Sequence, residues 1–142
     1  MRRDERGTVT VLITGFCLVA VLLVGVVVDA SAAYLRRQSL DTLADGAALA
    51  AADGVQGRQV YEGGLGERAR IDPAVARAFV ADYLARTGAA ARYPGLRLEV
   101  TAGPGRVVVR LSAPLDLPIH PPGWARHPLV TGTAAAYVAV SR

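Results

Sequence analysis

The amino-acid sequence predicts an α+β fold with a long helix in front. That helix is part membrane span and part extramembrane extension, and a small helix-on-antiparallel-sheet domain follows it. Three features predict this. Thr8 to Val28 is an uncharged apolar run, and the stretch from Asp29 to Ala52 is rich in alanine, leucine and arginine with no proline. Residues 96–111 alternate apolar and polar side chains on either side of a turn, as strands with one buried face do. The expected organisation is a cytoplasmic tail at 1–7, a transmembrane helix at 8–28, its extramembrane continuation at 29–54, a flexible linker at 55–70 and an α+β domain at 71–142.

From Gly7 to Val28 no residue is charged, and about 22 helical residues rising about 1.5 Å each extend about 33 Å, enough for a hydrocarbon core of about 30 Å. Arg2, Arg3 and Arg6 precede the run, and Arg36 and Arg37 follow it. A short basic tail before the span and a domain-sized part after it favour a cytoplasmic amino terminus, with everything beyond Asp29 outside. Tyr34 falls where an interfacial aromatic sits. The competing reading is a cleaved signal peptide, because Ala30, Ser31 and Ala32 form an A-x-A site. Against it, secretory apolar regions run to about 7–15 residues, well short of this one. Gly15 and Gly25 form no G-x-x-x-G pair, so the span names no strong dimer face.

Beyond the span the helix is expected to continue, since its residues are strong helix formers and Gly46 alone interrupts them. Leu40, Leu43, Ala44, Ala47 and Ala51 fall on one stripe by the i, i+3, i+4 rule, with Arg37, Asp41 and Asp45 on a neighbouring line. Alanine offers little apolar area but permits close approach. Two uses stay open for this stripe: a face for a partner helix, or packing on the chain's own small domain.

The segment from Gly54 to Arg70 is rich in glycine and charge and reads as a flexible connection. Gly64, Gly66 and Ala69 have G-x-G-x-x-A spacing, but a dinucleotide site needs that turn to follow a strand, and none precedes it. Asp72 and Pro73 then make a helix start, as N-cap and first helical residue. Ala76, Phe79, Val80, Tyr83 and Leu84 give that helix an apolar face, and Gly88 stops it. Leu96, Leu98 and Val100 alternate with Arg97, Glu99 and Thr101; "AGPG" at 102–105 turns the chain, and Val107, Val109 and Leu111 resume the alternation. The hairpin gains a third strand from "LVTGTAAAYVAV", in which Val130, Ala134, Ala136, Val138 and Val140 share one side.

Little here suggests chemistry. All 16 basic residues are arginine, lysine is absent, and they lie scattered without interleaved aromatics, so an isoelectric point near 9.8 does not indicate a nucleic-acid partner. The single cysteine, Cys17, lies in the apolar run, which rules out an intrachain disulfide and thiolate chemistry. Thr14, Gly15 and Phe16 before it do not make a lipobox. His120 and His127 bracket "HPPGWARH", yet no cysteine or acidic cluster nearby completes a metal site. Trp124 in the same loop is a candidate anchor for a partner, with covering the sheet edge as the alternative. Ser112, Ser141 and the Asp116–His120 pair make no triad. No catalytic, cofactor-binding or metal site, cofactor or small-molecule substrate is expected.

The order "RG", an apolar span, an aspartate at its outer edge, then "YLRRQSLDTLADGAALAAA" resembles the amino-terminal segment of TadE/TadG-like proteins of the Flp (Tad) pilus assembly system. The matching residues are Arg6, Gly7, Asp29, Tyr34, Leu35, Arg36, Leu40, Ala44, Asp45, Ala47, Ala48, Leu49 and Ala50. The resemblance implies a non-enzymatic, single-pass subunit of the cytoplasmic (inner) membrane, a minor pilin-like or accessory structural component with a pilin-like plan. It also implies that its partners are the membrane and other pilus-assembly subunits. Two departures are visible. Prepilin-like members carry glutamate at the fifth residue after the cut, where Leu12 stands if Gly7 is the cut site, and no D-x-S-x-S motif of the larger TadG-like members is formed by Asp29, Ser31 and Ala33. The alternative function is a secreted small binding module released by signal peptidase after Ala32.

Overall fold

The computed structural model describes residues 5–62, 71–116 and 128–138. Helix α1 runs from Glu5 to Glu62, 58 residues without a break and about 87 Å long at about 1.5 Å per residue. It is followed by α2 (Pro73–Arg86), the single turn α3 (Ala89–Arg92), and strands β1 (Arg97–Gly103), β2 (Arg106–Pro114) and β3 (Leu129–Tyr137). The strands form an antiparallel sheet in the order β1-β2-β3. The fold is α+β: α1 crosses one face of the sheet, chiefly over β3 and β2, while α2 lies beside α1 and over β1.

The alternation fixes which face is buried. Val107, Val109, Leu111 and Ala113 of β2 are buried, flanked by Val100 of β1 and by Gly132 and Ala134 of β3. Arg97, Glu99, Arg106 and Arg110 point to the open face, where Arg110 pairs with Glu99 at 3.5 Å across the strands. Between β1 and β2 the two-residue loop Pro104-Gly105 places proline first and then Gly105 at φ +71°, the left-handed region that glycine adopts without strain. At the start of α2, Asp72 accepts a hydrogen bond from the Ala74 N–H at 2.8 Å with Pro73 in the first turn, the cap expected from sequence. Gly88 at φ +65° stops α2, as expected, but then opens the unforeseen turn α3, which carries Tyr93 back to α1.

One boundary differs. The sequence pattern ends the continuation of α1 at 54 and begins a flexible linker at 55, yet α1 stays helical to Glu62. Val55, only 4% exposed, belongs to the core cluster with Ile71, Ala76 and Val80, and burying a valine there outweighs the weak helix propensity of Gly54 and Gly57. The rest of the expected linker, 63–70, lies outside the described residues.

Candidate assembly surface

Helix α1 has two halves with opposite surroundings. Val9, Val11, Leu12, Ile13, Phe16 and every large apolar side chain onward to Val28 are exposed. The most apolar 18-residue window of the helix, with a composition that suits a membrane, has no buried residue. Within this half the Thr14 hydroxyl donates to the Thr10 carbonyl at 2.9 Å, and at its end the Ser31 hydroxyl donates to the Val27 carbonyl at 2.7 Å. Those hydroxyls therefore need no water, which lowers the cost of placing them in an apolar medium. Cys17 is exposed on the same half.

The second half is the spine of the domain. Leu40, Ala44, Ala47 and Ala51 are each fully buried and Leu43 is partly buried against them. Of the two uses the sequence left open for this stripe, the structure brings it against the chain's own sheet and α2, so a partner helix does not find it exposed. Glycines make the approach close. A Cβ on Gly132 of β3 would stand 2.5 Å from the main-chain carbon of Leu40 and 2.6 Å from the nitrogen of Asp41. Where α2 packs on α1, the Phe79 ring covers Gly54, where a Cβ would meet ring atoms at 2.5–2.7 Å, and Tyr83 covers Gly46. These three seats carried no signal in the one-dimensional pattern, where glycines read as tolerated breaks or linker residues.

The same docking blunts the sheet edge. The Thr133 N–H on β3 donates to Asp41 Oδ1 of α1 at 3.2 Å, and Asp41 also faces Arg37 one turn back at 4.0 Å. At the end of the domain nearest the apolar half, Tyr93 is 2% exposed and its hydroxyl is hydrogen-bonded with Ser39. Arg36 lies over the Tyr93 ring, its guanidinium carbon 4.3 Å from the centroid. Asp29 Oδ1 and Arg36 Nε, two turns apart on one face of α1, are buried without a hydrogen-bond partner among the described residues. Sequence reading missed Tyr93, because an isolated tyrosine after a glycine-alanine turn has no periodicity to place it.

Trp124, His120 and His127 fall in a segment outside the described residues. Among the described residues, no group of three or more His, Cys, Asp or Glu stands together as metal ligands would. What the arrangement offers is mechanical: a domain clamped on a helix whose other half presents apolar side chains all round.

No curated protein and no solved structure matches the chain. Over residues 7–54, the apolar half of α1 together with the part that seats the sheet, the chain matches the family model described as Putative Flp pilus-assembly TadE/G-like, the family its arginine, aspartate and alanine spacing resembles.

Proposed function

We propose that the chain is a single-pass membrane subunit of a Tad/Flp-type pilus assembly or secretion system, a non-enzymatic minor pilin-like or accessory component. The observation that carries this reading is the continuity of α1: the family match, the exposed apolar half and the buried stripe all lie on one unbroken helix. The apolar half holds the subunit in the cytoplasmic membrane, where other subunits of the machine meet it. The sheet domain is displayed on the far side, and the arginines before the span keep the amino terminus in the cytoplasm. A cut after Ala32 would leave intact every described residue that α1 contributes to the hydrophobic core, since the first of them is Leu40. A secreted module is accordingly the rival to be tested.

The test is chromosomal deletion combined with the intact mass of the native protein from membrane fractions. The expected result is loss of pili and surface adhesion on deletion, restored by the full chain, and a native protein that retains residues 8–32. Unchanged piliation sinks the assembly role. A native amino terminus at Ala33 in the soluble fraction replaces anchoring with secretion.

A further inference from the structure

Between α1, α3 and the end of β2 lies an open cleft of about 510 Å³ whose walls include Leu35, Arg36, Ser39, Arg92, Tyr93 and Asp116. Among the described residues its charged walls are two guanidinium groups and one carboxylate, an excess of positive charge that suits a phosphodiester, which carries one negative charge. Arginine forks match phosphate oxygens in pairs. Arg36 is already oriented for such a ligand. Its guanidinium is held over the Tyr93 ring, and Tyr93 is in turn tied to Ser39, so the side chain stands fixed at the cleft wall.

The position of the cleft says where such a phosphodiester comes from. Arg36 lies about 12 Å past Val28 along α1 by the helical rise. Side chains on a helix tilt toward its amino terminus, so the long stem of Arg36 leads back toward the end of the apolar half. The headgroup layer of a bilayer occupies about 5–8 Å beyond the hydrocarbon on each side. If the apolar half spans the membrane, the cleft opens at that layer, with Leu35 exposed on the same turn.

We propose that this cleft binds the phosphodiester of a phospholipid headgroup from the leaflet on the domain's side, with Arg36 and Arg92 as its charged ligands. The site rests on the anchoring reading given above. A bound headgroup would fix the height and the rotation of the domain over the bilayer, which an apolar helix alone leaves free.

The test uses the full chain in detergent, with phosphatidylglycerol added, and native mass spectrometry to count retained lipid. The wild type is expected to keep one lipid per chain. Arg36→Gln with Arg92→Gln should lower that occupancy at least fivefold. Arg92→Gln alone, at an exposed position that leaves the fold undisturbed, should lower it about threefold. Arg37→Gln, outside the cleft, should leave it unchanged. Equal occupancy in the wild type, Arg92→Gln and the double variant overturns the proposal. So does displacement of the lipid by inorganic phosphate at the same millimolar concentration, since the cleft would then read a free anion. Failure of anchoring shows separately, as wild-type protein absent from the membrane fraction.

Discussion

Gly132 of β3 rests against the main chain of Leu40 in α1, and a Cβ added there would come within 2.5 Å of the Leu40 carbonyl carbon. The obstacle is backbone inside a helix, which cannot rotate away as a side-chain tip can. Gly132→Ala is therefore expected to destabilise the domain by about 2–3 kcal/mol, the upper range for overpacking. Gly103→Ala, a strand glycine with nothing within 4 Å, should shift the melting temperature little. Thermal melts of the detergent-solubilised variants compare them directly.

The stripe on α1 separates a core role from a partner-binding one. Leu40 is fully buried and Leu49 is 58% exposed on the same helix. Leu40→Ala should cost about 2–5 kcal/mol of domain stability, and Leu49→Ala no more than about 0.5 kcal/mol. Ala47→Leu should cost about 1–3 kcal/mol in the isolated protein, because its neighbours are the chain's own. An Ala47→Leu protein that melts like the wild type would contradict that packing.

Tyr93 ties α3 to α1 through its hydroxyl and its ring. Tyr93→Phe keeps the ring under Arg36 and removes the hydrogen bond with Ser39, for an expected loss of about 1 kcal/mol. Tyr93→Ala empties a buried site and should cost about 3–5 kcal/mol, the range for large aromatic truncations. Chemical denaturation of both variants, with Ser39→Ala beside Tyr93→Phe, shows whether the hydroxyl acts through Ser39: in that case the double variant loses no more than the larger single one.

The cap of α2 gives a local check. Asp72→Ala removes the acceptor for the Ala74 N–H and should lower stability by about 1 kcal/mol, while Asp72→Ser should recover most of that. Hydrogen exchange at the first turn of α2 reads the loss directly.

The apolar half of α1 gives a membrane check. Leu18, exposed near the middle of that half, would sit near the bilayer centre, where arginine costs about 2.5–3.5 kcal/mol in insertion. Leu18→Arg should move a large share of the protein into the alkaline-carbonate supernatant, and Leu18→Ile should not. Equal extraction of the two variants would argue against a span.

Much of this fold is legible in one dimension because burial is one-sided. Period two marks Leu98, Val100, Val107, Val109, Leu111, Ala134 and Ala136 as inward-facing, and Asp72-Pro73 marks a helix start whatever it packs against. What could not be read depends on partners far away in the chain. Gly54 looks like the start of a linker until Phe79 lies on it, Gly132 looks like a weak point in a strand until Leu40 lies beneath it, and Tyr93 has a role only once α3 folds back on Arg36. The alanine stripe was visible, but its two uses differ only in which surface arrives first, and the chain's own sheet is tethered to it. Trp124, the other candidate contact, lies outside the described residues.

Helix α1 has no joint between its apolar half and the part that seats the sheet. The domain therefore has no swivel of its own: a roll of the lower half about its long axis turns the sheet through the same angle. A lean of about 10° at the base carries the upper end, some 50 Å beyond residue 29 by the helical rise, sideways by about 9 Å. Torque or push applied by neighbours at one end is thus delivered, nearly undamped, at the other.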